Sequence, residues 1–375
     1  MNQTDNTTPH FADAVVTSDF DALTQSGLYV GYNAKGAPLP SHQTLIWHAR
    51  TTREYQISIT QRTSAKGSTA HLWFRYRAST GWDEWYKIET VPKPYVEPSI
   101  VAAAGMIMHI SDLPGVPNKT LYSKAPDKRI MPASITKVLT AVTAIRVLTA
   151  LRIDLDNYQI AVTSADEVGG SGNNVKDGDI ISFKDALKNM MLPSSNSTAT
   201  AMARSVGSEL VAGVGERVNH LKRFITEMNS VAADLGMANS NFNNASGLAS
   251  SGQFSTVSDI TLLMIEAAGL LQITDIWGAG SDKITITGPN ARIENVTHSL
   301  KMIADPDVLG GKSGTLTPAI YSASLLIQAP SGNRIVATVL QSNTATQRYT
   351  DIRTMVDAVV SGVDWPIITP QLRGR

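Results

Sequence analysis

Pro132-Ala133-Ser134-Ile135-Thr136-Lys137 runs directly into Val138-Leu139-Thr140-Ala141-Val142-Thr143-Ala144-Ile145, an apolar stretch with the composition of a buried helix. Ser134 and Lys137 are three apart, so on a helix the hydroxyl and the amine share one face. In the first turn, Ser134 also lies beside unpaired backbone amides and the positive end of the helix dipole. A serine hydroxyl is a weak nucleophile until a base takes its proton. A lysine whose pKa is lowered by burial or by a second cation can be that base. Taken alone, the same residues fit an ordinary helix start, with Ser134 near the N-cap and Lys137 in solvent. Ser-x-x-Lys occurs once in the chain, and two partner motifs downstream decide between the readings.

The partners are Ser194-x-Asn196 and Lys312-Ser313-Gly314-Thr315. Ser-x-Asn also occurs at Ser171-Gly172-Asn173, in a polar glycine-rich loop, and at Ser331-Gly332-Asn333, in the turn of a late hairpin. Ser194 instead joins two helical runs, where a connection points side chains into a cleft, and it is the one chosen.

Composition excludes several chemistries. The 375 residues suffice for two domains, and an apolar share of 42% supports real cores. Net charge is zero with no long charge run, so nothing points to nucleic acid or an anionic membrane surface. The absence of cysteine removes disulfides, thiol catalysis and thiolate metal sites. The seven histidines are scattered without a His-x-x-x-His pair, which argues against a zinc hydrolase. No metal or cofactor is expected. The polar start, Met1-Asn2-Gln3-Thr4, does not read as a secretory signal, and no apolar stretch reads as a membrane anchor.

Along the chain, residues 1–20 read as a polar arm and residues 21–90 as a small all-β module. Its strand-like runs include Leu45-Ile46-Trp47-His48, Tyr55-Gln56-Ile57-Ser58-Ile59-Thr60 and Leu72-Trp73-Phe74-Arg75-Tyr76-Arg77. Trp47, Trp73, Trp82 and Trp85 fall here, and most of these aromatics are expected to form a compact core. Three prolines within residues 90–98 give an extended linker over 91–98.

From Ser99 the texture is α/β. A hairpin is expected around Asp112-Leu113-Pro114-Gly115, and helices from Ser182 to Met191, through Ala203, around Glu209–Leu235, and from Thr256, where Thr256-x-x-Asp259 fits a capping arrangement. Ser322–Ile327 and Arg334–Gln341 read as closing strands, followed by a last helix. Met190, Met191 and Met202 read as core and His109 as structural. His298, upstream of Lys312, is weighed as a residue that approaches the cleft, and Arg348, just before the last helix, as an aid to carboxylate binding. His298 is nevertheless expected to stay out of the cleft, and Arg348 to be a surface arginine.

Two resemblances follow from these residues. Gly27-x-Tyr29, Gln61, Phe74-Arg75-Tyr76-Arg77 and Gly81-Trp82-Asp83-Glu84-Trp85-Tyr86-Lys87-Ile88 resemble the knob module of phage tail fibres and pyocins. The order Ser134-x-x-Lys137, Ser194-x-Asn196, Lys312-Ser313-Gly314 resembles the penicillin-recognising serine enzymes, specifically the low-molecular-mass D-alanyl-D-alanine carboxypeptidases. Arg129 to Lys137, Leu235-Gly236-Met237, Ser246-Gly247-Leu248 and Gly310-Gly311 extend it. Two departures are visible: Ser194-Ser195-Asn196-Ser197 stands where the family usually has Ser-Gly-Asn-Asp, and Lys-Ser-Gly replaces the commoner Lys-Thr-Gly.

The second resemblance implies a β-lactamase/transpeptidase-like α/β (α+β) domain over residues 99–375, an antiparallel sheet flanked by helices plus an all-helical subdomain. It implies Ser134 as nucleophile, Lys137 as its base, Ser194 as proton relay and Asn196 as orienting group. Lys312 and Ser313 would hold the substrate carboxylate, and the N–H groups of Ser134 and Thr315, beside Gly314, would form the oxyanion hole. The substrate would be a peptidoglycan stem peptide ending in D-Ala-D-Ala, with β-lactams as covalent inhibitors. No Glu-x-x-Leu-Asn stretch precedes Ser194, so efficient lactam hydrolysis is not expected. The two halves together imply a phage tail component meeting other tail proteins through its N-terminal module, made in the host cytoplasm and acting at the host wall. A carboxypeptidase is favoured over an endopeptidase; a tail protein that binds cell-wall peptide without turnover is the remaining alternative.

Overall fold

A computed structural model describes residues 15–16, 19–23, 25–32, 35, 37, 43–50, 54–64, 67–78, 81–82, 86–88, 96–111, 117–211, 219–329 and 332–362. The polar arm before residue 15, most of the linker (91–95), the turn at 112–116, Asp83-Glu84-Trp85 and Ser331 lie outside them. The chain divides into two compact units, Met1–Pro92 and Lys93–Arg375.

The first unit is one strongly hydrogen-bonded sheet. β1 (Val15–Val16) lies parallel to β2 (Gly27–Tyr32). β3 (Gln43–Arg50), β4 (Glu54–Ser64) and β5 (Gly67–Ala78) follow as antiparallel neighbours, and β6 (Gly81–Trp82) and β7 (Tyr86–Ile88) both pair with β5. The register sets His48, Gln56 and Arg75 side by side across β3, β4 and β5, and all three are buried. The Gln56 amide donates to Phe20 O at 2.8 Å and accepts from Arg75 Nε at 2.8 Å. The Arg75 guanidinium meets Asp21 at 2.9 Å and lies 4.6 Å from the Trp82 ring centroid. Of the four tryptophans expected to contribute to an aromatic core, the side chains of Trp47 and Trp85 lie outside the described residues. Among the described side chains the apolar cluster is Phe20, Leu23 and Ile46, while Trp73 and Trp82 are half-buried. The polar ladder is tolerated inside because its members satisfy one another.

The second unit is built on a five-stranded antiparallel sheet in the order β14-β15-β16-β8-β9. Its strands are β8 (Ala104–Ile110), β9 (Lys119–Lys124), β14 (Val308–Leu316), β15 (Ile320–Gln328) and β16 (Arg334–Ser342). Alternation sorts their side chains onto two faces. Met106, Leu326, Val336 and Leu340 join the core of α1 (Thr136–Ala150) and α5 (Val257–Ala267), while Ile107, Leu325, Ala337 and Val339 pack against α7 (Gln347–Gly362). Residues Ala133–Ala150, with a mean hydropathy of 1.4, are long and apolar enough to cross a membrane, contrary to the sequence reading, but 78% of that segment is buried within the domain. Its hydrophobicity belongs to the central helix of a core.

The second lobe is not all-helical. α2 (Phe183–Met191), α3 (Asn196–Glu209), α4 (His220–Asp234) and α6 (Leu271–Trp277) are accompanied by a four-stranded antiparallel sheet, β10-β11-β12-β13. β10 (Gln159–Ala161) and β11 (Ile180–Ser182) are three residues each, too short for periodicity to announce; β12 (Ser281–Thr287) and β13 (Arg292–Thr297) complete the sheet. Thr256 caps α5, accepting from Asp259 N at 3.1 Å. The Asp259 carboxylate turns away, accepting from Asn239 N at 2.8 Å and Ser240 Oγ at 2.6 Å, and so fastens the 239–240 turn to α5.

Candidate active site

Ser134 lies in a 3-10 turn, Ala133–Ile135, that enters α1, rather than in the first turn of the helix itself. Ala133 has φ +52°, a left-handed conformation uncommon outside glycine. Close neighbours hold it there: Gly247, at φ +83°, approaches Ala133 O so closely that no Cβ fits between them. On the other side, a Cβ on Gly314 would meet Pro132 O at 2.7 Å, which seats the turn directly against β14.

Lys137 is fully buried in α1. Its Nζ lies 3.0 Å from Ser134 Oγ, 2.8 Å from Asn196 Oδ1 and 2.6 Å from Ser246 O. The last two atoms only accept and therefore claim two N–H groups of the amine. The Ser134 hydroxyl is the partner that can either accept from an ammonium or donate to the lone pair of a neutral amine. Burial, reinforced by the nearby charge of Lys312, holds the Lys137 pKa well below the usual lysine range. That shift favours the neutral amine, with its lone pair facing the Ser134 O–H.

The second motif is also a strained turn. Ser194 has φ +68°, which costs a non-glycine residue about 1–3 kcal/mol. Ser195 caps α3, accepting from Thr198 N at 3.2 Å. Asn196 is oriented from behind: its Nδ2 donates to Gly169 O at 2.9 Å, which turns Oδ1 toward Lys137. Its backbone N–H donates to Ser171 O at 3.0 Å. The loop bearing the rejected Ser171-Gly172-Asn173 thus reaches the site after all, through its carbonyls. Gly172, at φ +63°, is required there because a Cβ would meet Ser195 Cα at 2.5 Å.

The third motif is the middle of the edge strand β14. Lys312 is fully buried, and its Nζ donates to Ser194 Oγ at 3.0 Å and Ser313 O at 3.2 Å. Burial, and then the charge of Arg348, bring its pKa down to about 7. Ser313 Oγ sits 3.3 Å from Ser299 Oγ, and Thr315 is exposed with its hydroxyl accepting from Arg348 Nη1 at 2.9 Å.

The predicted residues thus fall into two linked groups. Ser134, Lys137 and Asn196 form one; Ser194, Lys312 and Ser313 form the other, with Gly314 packed on the Ser134 turn. Arg348 is corrected from a surface residue: it is only 6% exposed and donates to Gly314 O at 3.1 Å. His298 is corrected as well. It is buried near enough to Lys312 that burial and this neighbouring charge depress its pKa to about 4, and its Nδ1 accepts from Leu300 N at 3.0 Å. His109 pairs with Asn333 at 3.1 Å, away from this constellation, and the three methionines lie in the core. Sequence reasoning missed Ser246, which acts through its carbonyl, although Ser246-Gly247-Leu248 stood out as a stretch.

A family model described as D-alanyl-D-alanine carboxypeptidase, Peptidase S11, matches residues 95–344. D-alanyl-D-alanine carboxypeptidase DacF of Bacillus subtilis is 29% identical over 245 residues, 65% of this chain and 59% of that protein. D-alanyl-D-alanine endopeptidase of Escherichia coli is 29% identical over 205 residues, 54% of this chain and 59% of that protein. This chain therefore spans about three fifths of the length of either relative. The crystal structure of the Streptomyces K15 DD-transpeptidase superposes with a TM-score of 0.62 at 23% identity, covering 70% of this chain and 98% of that one, and shares the fold. With the serine–lysine turn, the Ser194 turn and the Lys312 strand assembled within the matched span, the chain belongs to the Peptidase S11 family of D-alanyl-D-alanine carboxypeptidases.

Proposed function

We propose that the chain is a serine D-alanyl-D-alanine carboxypeptidase that trims peptidoglycan stem peptides through an acyl-enzyme on Ser134. One observation carries the reading: a buried lysine with a depressed pKa lies 3.0 Å from the serine hydroxyl, while its two other partners are pure acceptors. Ser134 Oγ attacks the carbonyl carbon between the two D-alanines as Lys137 Nζ takes its proton. The N–H groups of Ser134 and Thr315 receive the oxyanion, each such donor being worth about 10²- to 10³-fold in rate. The C–N bond then breaks. Ser194 Oγ accepts from Lys312, so its own hydrogen is directed to the leaving amine; the proton that Lys137 took from Ser134 replaces it on Ser194, and Lys137 returns to the neutral amine. Lys312 and Ser313 take the terminal carboxylate by charge-assisted hydrogen bonds. Water attacks the ester, Lys137 again accepts the proton, and the shortened peptide departs with the serine hydroxyl restored.

A β-lactam offers the same carbonyl with its leaving amine tethered. Among the described residues no carboxylate bonds to Ser134, Lys137, Ser194 or Lys312, which supports a slowly hydrolysed lactam adduct. The kinship with a protein named an endopeptidase favours a second reading, cleavage of D-Ala cross-links by the same acyl transfer. Purified protein given pentapeptide and cross-linked dimer separately tests both. D-Alanine release from the pentapeptide supports the first reading. Cleavage of the dimer alone supports the second, and turnover of neither, with Ser134 still acylated by penicillin, supports a binding protein.

We also propose a phage tail setting, on the knob-like pattern of residues 26–88. Recovery of the chain in purified virions supports it, and confinement to the cytosol of the producing cell removes it.

A further inference from the structure

We propose that Ser299 is a substrate-binding residue of this cleft, a second hydroxyl that joins Ser313 in receiving the terminal carboxylate; this rests on the carboxypeptidase reading above. Residues 298–301 form a turn whose backbone is fixed on every side. His298 N donates to Gly280 O at 2.8 Å, Ser299 N to Leu192 O at 2.8 Å, Leu300 N to the buried His298 Nδ1 at 3.0 Å, and Lys301 N to Tyr349 OH at 3.4 Å. Tyr349 OH in turn accepts from Arg348 Nη2 at 2.9 Å.

The turn is therefore bolted to the segment before Ser194 on one side and to the arginine beneath β14 on the other. On this rigid frame the Ser299 side chain is exposed, while its neighbours His298 and Leu300 are buried. A residue whose packing is done by its neighbours has no structural need of its hydroxyl.

That hydroxyl lies 3.3 Å from Ser313 Oγ, a long contact for a pair whose usual separation is about 2.7–2.8 Å. A loose pair of hydroxyls is easily opened, and both O–H groups can then donate to an incoming oxygen. The charge below them is positive and unneutralised: Lys312 bonds to a hydroxyl and a carbonyl, and Arg348 to oxygens of neutral groups. Two fixed hydroxyl donors beside a buried cation make a site for a carboxylate, and a fixed donor loses little entropy on binding. Ser299 thus acts on recognition of the free acid, not on proton transfer.

The test compares Ser299→Ala and Ser299→Thr with the wild type on an acyl-D-Ala-D-Ala peptide and on the same peptide ending in a carboxamide. Ser299→Ala is expected to raise KM for the acid about tenfold, a magnitude within the range for a hydrogen bond to a charged group. It should leave kcat within about twofold and leave the amide unchanged, and Ser299→Thr should restore the acid. Equal losses on acid and amide, or no loss on the acid, overturn the assignment. If the wild type turns over neither peptide, the parent reading fails, and acylation rates with benzylpenicillin and its methyl ester carry the same comparison. A Ser299→Ala defect confined to the free acid then keeps the carboxylate role, and its absence ends it.

Discussion

Buried charge is handled in two ways within the Lys93–Arg375 unit. In the lobe of β10–β13, each buried carboxylate has its own guanidinium. Asp179, fully buried, meets Arg292 at 2.8 Å, and Asp166, 1% exposed, meets Arg204 at 2.7 Å. In the cleft, Lys137, Lys312 and Arg348 are as deeply buried, yet among the described residues none is paired with a carboxylate. The first arrangement holds two segments together and leaves neither buried carboxylate without a cation. The second keeps Lys137 and Lys312 where burial favours the neutral amine, which leaves a lone pair free to take the serine proton, and keeps Arg348 beside them without a carboxylate, an arrangement that suits an anion. The contrast separates scaffold from machinery without reference to motif names.

The contrast can be broken most severely at Lys137. Lys137→Ala removes the proton acceptor and should slow acylation of Ser134 by about 10⁴-fold, the upper range for a positioned general base, with the fold retained. Stopped-flow acylation by a fluorescent penicillin measures it; a loss below tenfold would mean that another group takes the proton. The opposite arm is Asp179→Ala, which takes the buried carboxylate from Arg292 and leaves that guanidinium only Glu294, at 2.9 Å, as an ionic partner. It should lower unfolding free energy by about 3 kcal/mol while acylation per folded molecule stays unchanged. Denaturant titration together with active-site counting separates the two quantities, and a selective loss of acylation would undo the division between scaffold and cleft.

A smaller effect sharpens the cleft side. Lys312 titrates near 7, so it is a cation below that pH and loses its charge as pH rises through it. Lys137 is held well below the ordinary lysine range by burial and then by the charge of Lys312, which favours the neutral amine that takes the serine proton. For a carboxylate-ended substrate, kcat/KM, which reports the free enzyme, should fall above about pH 7, by up to tenfold per pH unit. The carboxamide-ended analogue should lack that alkaline limb. A shared limb would detach Lys312 from carboxylate recognition.

Sequence alone revealed the parts of the site whose chemistry rests on short spacing. Ser134 and Lys137 are three residues apart, so local geometry brings them together, and Lys312 and Ser313 are adjacent, so one short motif contains both. Ser194 required a choice among three Ser-x-Asn patterns, because what singles it out is a turn between helices. The burial of Arg348 was illegible: it depends on contacts with Gly314, Thr315 and Ser322 that only the folded sheet supplies. Ser246, Gly169 and Ser171 act through backbone carbonyls, which no side-chain pattern announces. In the N-terminal sheet, strand alternation alone does not say which face Arg75 and Gln56 take, and their mutual hydrogen bonds, invisible in one dimension, allow them inside.

The central claim is that Ser134 is the nucleophile that the cleft activates. It is tested most directly by treating the protein with benzylpenicillin at neutral pH and locating the adduct by mass spectrometry of the digested, trapped complex. The account predicts one penicilloyl group per chain, on the peptide containing Ser134, and none in a folded Ser134→Ala variant. An adduct on any other residue, or one that survives in Ser134→Ala, would contradict it.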